Sequence, residues 1–230
     1  MKLLAVESSA KSASAAIWYD GKIVAENFIN TGFTHSQTLM PMVASTLERS
    51  RTEIGEIDAF AVTNGPGSFT GVRIGVAAVK GMTLAVQKPC IGVSTLECIA
   101  GNFDIPGLGG TVCAVMDARC GQVYNSLFKI EGNELKRLCE DRAIALEELR
   151  AELSTMSGPM FIAGDGAELC YETCKNIQNV YLAPPHLRYQ KASAVAIKAA
   201  GKLNDLVSGQ DLGINYLRPS QAERELKSRG

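Results

Sequence analysis

The segment from Ala59 to Gly75 constrains the fold of this 230-residue chain more than any other. Its first residues, Ala59-Phe60-Ala61-Val62, form a short apolar run that is typical of a covered parallel strand. Asn64-Gly65-Pro66-Gly67 predicts a tight turn, because glycine tolerates φ values that other residues resist and proline restricts its own φ. Ser68 suits the cap of a helix that begins at Ser68 or Phe69. We therefore predict a buried strand, a tight loop and a helix in this order.

The predicted helix, about Phe69 to Val86, is apolar nearly all round and has only two charged residues, Arg73 and Lys80. A helix of this kind must be covered on nearly every side. A stripe of small residues would let another backbone approach closely: Gly71, Gly75 and Ala78. The pattern leaves open whether this is a central core helix or one whose far side packs on another subunit.

The glycine-rich loop does not match the common phosphate-binding or nucleophile motifs. A P-loop requires a lysine after its glycines, and none follows here. The dinucleotide fingerprint G-x-G-x-x-G fails because Gly71 comes one residue too late after Gly65 and Gly67. The G-x-S-x-G nucleophile elbow fails because Ser68 directly follows Gly67. The loop therefore specifies no anion by itself.

Composition limits the classes of partner. The 23 basic and 24 acidic residues give a net charge of −1, so no overall basic field exists to hold nucleic acid. We find no apolar run of transmembrane length and no signal peptide, and we expect a cytoplasmic protein. The seven cysteines lack C-x-x-C spacing and indicate reduced, buried thiols; a metal or redox role for Cys170 and Cys174, on one helix face, is the alternative.

The pattern of the first half of the chain starts again after the linker-like stretch Asn102–Gly110. Glu7 corresponds to Asp117 and Trp18 to Phe128, each about 110 residues on, and turns follow at Asp20-Gly21 and Gly132-Asn133. We therefore predict a duplicated α/β fold of two lobes, with mixed sheets flanked by helices and with lobes at 1–104 and 105–230. In the first lobe a second helix is predicted over His35–Ser50, where Met40 and Met42 point apart and create a second apolar face. The last predicted helix, Ala192–Val207, and a polar tail complete the second lobe; whether they pack back on the first lobe stays open.

Several segments together resemble the bacterial TsaB (YeaZ) family. They are Leu4–Ser9, His35–Pro41, Asn64–Gly75, Gly92–Leu96, Asp117–Arg119, Gly164–Gly166 and Tyr216–Arg218. The resemblance covers nearly the whole chain, and G-P-G-S-F-T-G-x-R-x-G is its most specific segment. It implies the ASKHA (actin/sugar-kinase/Hsp70-like) fold and a role in making N6-threonylcarbamoyladenosine at position 37 of tRNAs that read ANN codons.

The resemblance also implies partners. Proteins of this family are non-catalytic; they bind the catalytic paralogue TsaD and, with it, the ATPase TsaE, and they form homodimers when alone. Contact with tRNA is expected only through the complex, and none with membranes. The contacts run through the two helices predicted above, and one apolar patch is expected to serve both kinds of pairing. The predicted interface residues are His35, Leu39, Met42, Val43, Leu47, Phe69, Val72, Arg73, Val76 and Lys80.

No catalytic residue, metal or firm cofactor is expected. The catalytic paralogue carries H-x-x-x-H on its first helix, where this chain has His35 and Leu39, and the only other histidine is His186. The turns that begin at Glu7 and Asp117 keep the carboxylates but lack the glycine that lets a backbone approach phosphate. Both carboxylates are interpreted as caps of hairpin ends, and weak binding of ATP or ADP at a subunit interface stays open.

Two other functions compete with the scaffold. An ASKHA-type ATPase or small-molecule kinase would turn over ATP by itself and would depend on Asp117. A metallopeptidase would need metal ligands that this sequence does not supply.

Overall fold

The computed structural model describes residues 1–132 and 134–218. The predicted turn at Gly132-Asn133 lies partly outside the described residues, and the predicted tail from Pro219 onward lies wholly outside them.

The first sheet has five strands in the order β3-β2-β1-β4-β5. They are β1 (Lys2–Glu7), β2 (Ala13–Tyr19), β3 (Lys22–Ile29), β4 (Ala59–Gly65) and β5 (Cys90–Ser94). Helices α1 (His35–Arg49) and α2 (Phe69–Val86) pack on one face of this sheet. Ser68 caps α2 by accepting a hydrogen bond from the Gly71 N–H. The predicted succession of strand, loop and helix is thus confirmed.

The second sheet has the order β11-β10-β6-β7-β8, and β9 also pairs with β7. Its strands are β6 (Gly110–Arg119), β7 (Gln122–Glu131), β8 (Glu134–Arg137), β9 (Arg142–Ala145), β10 (Met160–Ala163) and β11 (Val180–Leu182). The remaining helices are α3 (Thr95–Gly101), α4 (Leu146–Ser154), α5 (Ala167–Cys174), α6 (Pro185–Arg188) and α7 (Ala192–Ala200). Cys170 and Cys174 in α5 are both fully buried in the core beneath this sheet.

The two sheets repeat one design. In each, the central strand pairs antiparallel with the next strand and parallel with a later one: β1 with β2 and β4, and β6 with β7 and β10. A further parallel strand follows at the edge, β5 in the first sheet and β11 in the second. The structure therefore confirms the internal duplication that the spacing of about 110 residues predicts.

The alternating residues of β1 supply two cores, because successive strand side chains point to opposite faces of a sheet. Leu4 and Val6 pack with α1 and α2, whereas Leu3 and Ala5 pack with α7. Helix α7 comes late in the sequence but contacts β1 and β2, so the first sheet is covered on both faces by this chain alone.

Two predictions about helices are wrong. Helix α7 ends at Ala200 and not at Val207, because Gly201 follows it and Val207 instead forms an antiparallel bridge with Cys90 of β5. By length and composition, α2 is apolar enough to cross a membrane, with a mean hydropathy of 1.3 over 18 residues. This contradicts the expectation that no apolar run reaches that length, although α2 packs against β4 as a core helix does.

Candidate functional site

The glycines of α2 lie against the turn that follows β1. A Cβ atom added at Gly71 would overlap the carbonyl oxygen of Ser8, and one added at Gly75 would lie 2.6 Å from the Ser8 Oγ. The Ser8 hydroxyl donates a hydrogen bond of 2.9 Å to the Gly71 carbonyl. The backbone that lies closely against Gly71 and Gly75 is therefore that of the chain's own β1–β2 turn.

Half of the predicted interface residues are not available to a partner. Five of the ten side chains lie in the core between the first sheet and its helices, each less than a tenth exposed: Leu39, Met42, Val43, Val72 and Val76. Val76, for example, is only 4% exposed, so a charged substitution there would disrupt the core rather than an interface. Their burial argues against a place in an interface, because the bulky stripes of both α1 and α2 face the first sheet and not solvent. An interface role for His35, Leu47, Phe69, Arg73 and Lys80 stays a prediction.

A different stripe of α2 faces solvent. Leu84 is 78% exposed, Thr70, Ala77 and Gly81 are exposed, and Ile74 is half-buried. Helix α1 contacts α2 and exposes Met40, at 46%, together with Pro41 and Ala44. None of these side chains is charged. We call this surface the α1–α2 face, and it consists of Met40, Pro41, Ala44, Thr70, Ile74, Ala77, Gly81 and Leu84.

The sequence contains a pattern that indicates this face, although none of its residues is among the ten predicted interface residues. The bulky residues of α2 that face the core recur on one stripe, and the opposite stripe contains mainly small residues with Leu84 among them. A Cβ added at Gly81 would meet nothing within 4 Å, in contrast to one at Gly71 or Gly75. Met40 belongs to the second apolar face predicted for the first helix, and its exposure confirms that prediction.

Arg73 and Lys80 are held by the segment after α7. The Arg73 guanidinium lies 3.7 Å from the centroid of the Phe69 ring, and its Nε donates a hydrogen bond of 2.8 Å to the Tyr216 hydroxyl. Lys80 Nζ donates to the carbonyl of Gln210 over 3.2 Å. Both cations thus fasten the chain's own C-terminal segment to α2.

This segment, residues 207–218, is named the strap. It begins at the bridge between Val207 and Cys90, and the Asn215 N–H donates to the Asn64 carbonyl over 2.8 Å. At its far end, Arg218 Nη1 donates to the Ala118 carbonyl of β6 over 3.1 Å. The strap therefore runs from the edge of the first sheet to the central strand of the second.

A cavity of about 610 Å³ lies between the two sheets, beside the strap. The turn after β1, the glycine-rich loop before α2, and the ends of β6 and β10 form its other walls. A Cβ at Gly65 would overlap the Asn215 carbonyl, and one at Gly67 would lie 2.5 Å from the Ser9 carbonyl. These glycines therefore serve packing of the chain on itself, and they do not form an open backbone cradle.

The two equivalent carboxylates, Glu7 and Asp117, make equivalent contacts. Glu7 Oε1 accepts from the Ser9 N–H at 2.7 Å, and Asp117 Oδ1 accepts from the Arg119 N–H at 2.7 Å. Glu7 Oε1 also accepts from the hydroxyls of Ser9 and Thr63. These bonds agree with the interpretation of both residues as caps of the turns that follow them.

Burial distinguishes the acidic groups near the cavity. Burial raises the pKa of Glu7 from 4.5 to about 7, although the hydrogen bonds from Ser9 and Thr63 oppose this shift. Burial also raises the pKa of Asp165 from 3.8 to about 6; the Asp117 N–H opposes the shift, and the nearby Asp117 carboxylate adds to it. Glu7 Oε2 and Asp165 Oδ1 are enclosed and have no hydrogen-bond partner within residues 1–132 and 134–218.

His35 contributes to the same region as a polar contact at the start of α1. Its Nε2 lies 2.5 Å from the Ala10 carbonyl and donates to it in the tautomer that this contact favours. In the described part of the chain, no three His, Cys, Asp or Glu side chains are grouped in a way that could hold a metal ion.

Comparison with known proteins identifies relatives along most of the chain. Residues 29–222 match the family described as TsaD, tRNA N6-adenosine threonylcarbamoyltransferase. The chain is 35% identical over 167 residues to the tRNA threonylcarbamoyladenosine biosynthesis protein TsaB of Escherichia coli, which covers 72% of each protein. It is 27% identical over 228 residues to TsaB of Bacillus subtilis, covering 97% of this chain and 96% of that protein.

A catalytic relative is similar over a shorter region. The tRNA N6-adenosine threonylcarbamoyltransferase of Clostridium kluyveri is 31% identical over 120 residues, which is 45% of this chain and 35% of the transferase. The chain thus has a TsaD-type relative as well as TsaB relatives.

Solved structures support the predicted fold. A Pseudomonas aeruginosa protein described as similar to peptidase YeaZ has a TM-score of 0.77 at 26% identity, covering 94% of this chain and 99% of that one. The polyphosphate/ATP-glucomannokinase of Arthrobacter sp. strain KM has a TM-score of 0.53 at 11% identity, covering 87% of this chain and 99% of the kinase. The second likeness concerns the fold alone, and it agrees with the predicted ASKHA fold of two lobes.

Proposed function

This chain belongs to the TsaB (YeaZ) family and has a role in tRNA threonylcarbamoyladenosine biosynthesis, and we propose that it serves there as a non-catalytic scaffold subunit. It would bind and activate a TsaD-type transferase that forms N6-threonylcarbamoyladenosine at position 37 of tRNAs reading ANN codons. The observation that carries the proposal is the uncharged α1–α2 face, which the chain leaves open to solvent.

The chemistry of this face suits a protein partner. Leu84 and Met40 expose much of their apolar surface, and the small residues Ala77 and Gly81 would allow a partner helix to approach closely. Uncharged patches of this kind mark interaction sites on soluble proteins, because charged groups are depleted from interface centres.

A TsaD-type protein is the partner that the relationship favours. The transferase of Clostridium kluyveri shares 31% identity with this chain over 120 residues, so part of each protein has a common architecture. Two related chains can bury equivalent faces against each other in the manner of a symmetric dimer. We extend the proposal to a homodimer through the same face when the partner is absent, and to a TsaE-type ATPase that joins the heterologous pair.

The acidic residues support a role without catalysis. Glu7 is enclosed and accepts bonds within its own turn, and Asp117 caps the turn of β6 and pairs with Arg119 at 3.3 Å. The hydrogen bonds to Glu7 and Asp117 therefore give each carboxylate a structural part in its own turn.

The decisive experiment measures complex formation with a TsaD-type transferase by size-exclusion chromatography with light scattering and by calorimetry. Leu84→Glu places a charge in the centre of the α1–α2 face and should weaken binding at least about tenfold. Leu169→Glu is the matched control, since Leu169 is 46% exposed on α5 in the second lobe. No complex of the unaltered protein at micromolar concentrations would refute the scaffold, and unchanged binding by Leu84→Glu would refute the α1–α2 face as its interface.

The cavity between the sheets favours a second candidate, an ASKHA-type ATPase or small-molecule kinase. Such an enzyme would turn over ATP when purified alone, and Asp117→Ala would abolish the turnover. We rank it below the scaffold because Asp117 is committed to its own turn.

A further inference from the structure

Helix α3 lies between the two sheets and belongs to the cores of both. Leu96 packs in the core of the second sheet, whereas Cys98 packs with α7 against the first sheet. The Asn102 side chain, directly after α3, donates to the carbonyls of Leu187 and Tyr189, which precede α7. The chain passes from the first sheet to the second through α3 and returns through α7, and the two helices are in contact. Two adjacent crossings of this kind form a hinge about which lobes can rotate.

A cluster of charged and polar side chains joins the two sheets beside this hinge. The Ser94 hydroxyl, at the end of β5, donates a hydrogen bond of 2.5 Å to Asp141 Oδ2, directly before β9. Asp141 Oδ1 pairs with Arg137 Nη1 of β8 at 2.5 Å. Arg137 Nη2 lies 3.8 Å from Glu97 Oε2 of α3, and Lys202 Nζ donates to the same oxygen over 2.6 Å. We call this cluster the clasp, and it consists of Ser94, Glu97, Arg137, Asp141 and Lys202.

The clasp is balanced in charge and largely enclosed. Its two carboxylates are matched by two cations, and the Arg137 guanidinium also lies 4.7 Å from the centroid of the Phe128 ring. The side chain of Asp141 is 8% exposed, that of Glu97 18% and that of Arg137 25%. Salt screens such enclosed pairs less than exposed ones, and removal of one partner leaves an uncompensated charge. The clasp is therefore a stronger connection than an ion pair on the surface.

We propose that the clasp holds the two lobes at one angle, and that the lobes rotate about α3 and α7 when the clasp is opened. The bond from Ser94 to Asp141 joins the two sheets directly, and Glu97 extends the connection to the hinge helix α3. With the clasp closed, the chain behaves as one rigid body, in contrast to hinged enzymes whose lobes close around a ligand. The clasp acts within this chain alone, so the inference does not depend on the proposed scaffold role.

The test measures the distance between the lobes by double electron–electron resonance on the full chain. Cys120, in the turn after β6, is exposed and takes one nitroxide label, whereas the other six cysteines are buried or half-buried. Ser36→Cys provides the second label at an exposed position on α1. With the clasp intact, the labels should give one narrow distance distribution. Arg137→Met removes both ion pairs but keeps an apolar side chain beside Phe128, and it should widen the distribution at least about twofold.

Arg150→Met is the matched control, because Arg150 pairs with Glu147 at 3.2 Å within α4 and joins no two sheets. Asp141→Asn removes a charge but keeps the shape of the clasp, so it should also widen the distribution, and it remains the test if Arg137→Met does not fold. A broad distribution in the protein with an intact clasp would overturn the proposal. An unchanged distribution in the clasp variants would overturn it too, because the strap would then set the angle, and so would equal widening by Arg150→Met.

Discussion

Replacing Glu7 with Gln should change how the stability of this protein depends on pH. Glu7 is fully buried, and its folded pKa of about 7 lies above its ordinary value of 4.5. Because the folded state binds this proton more tightly than the unfolded state, protonated Glu7 contributes to the free energy of unfolding, and this contribution is fully present below pH 4.5. It is lost as pH rises through about 7, where the buried carboxylate becomes charged.

The magnitude follows from the pKa difference. A rise from 4.5 to about 7 corresponds to a loss of about 3 kcal/mol in the free energy of unfolding between pH 4.5 and pH 8. Gln retains an acceptor oxygen for the bonds from Ser9 and Thr63, and its amide stays neutral at every pH. Its NH₂ group would replace Oε2, which has no partner among the described residues, and any cost of that change is equal at both pH values.

The assay is urea denaturation of both proteins at pH 5 and pH 8. The difference in stability between Glu7→Gln and the unaltered protein should change by about 2.5 kcal/mol in favour of the variant from pH 5 to pH 8. Asp165, with a pKa of about 6, titrates in both proteins and largely cancels. Glu148→Gln, at an exposed position on α4, is the control and should leave the profile unchanged. Parallel profiles for Glu7→Gln and the unaltered protein would refute the reasoning.

Two further predictions concern α2 and the strap. Gly71→Ala should lower the melting temperature, because the new methyl group overlaps the Ser8 carbonyl. Gly81→Ala should instead stabilise the fold by up to about 1 kcal/mol, since Gly81 faces open space in a helix. Equal effects of the two substitutions would contradict the packing described for Gly71. Tyr216→Phe keeps the aromatic ring beside Arg73 but removes the hydroxyl acceptor, so it should lower the free energy of unfolding by about 1 kcal/mol in urea denaturation. No loss of stability in Tyr216→Phe, together with a clear loss in Tyr216→Ala, would assign the contribution to the ring instead.

The order of local elements could be predicted because it depends on neighbouring residues. The duplication could be predicted because the same local pattern occurs twice in the chain. The apolar run before Gly65 and the capping residue Ser68 placed β4 and α2, and the spacing from Glu7 to Asp117 related the two sheets. The end of α7 was predicted too late, because Leu203 and Leu206 continue the apolar pattern of the helix but lie in and after a short 3-10 turn that precedes the strap.

The sequence did not show which stripe of α2 faces solvent. A helix that is apolar all round has no clear polar side, so its periodicity does not identify the stripe that faces solvent. Only the position of α2 on β4 shows that Val72 and Val76 are enclosed while Ala77 and Leu84 face outward.

Local patterning and motif identity are enough to establish the strand–loop–helix unit, the repetition of one lobe design and the family. Which side of α2 is free, and which cations surround the cavity, depends on how the folded elements pack. Lys11 and Arg218 lie far apart in the chain and line the same cavity only because the strap returns to the first sheet and then crosses to the second. Contacts between such distant residues are set by the packing of whole elements, and no local pattern encodes them.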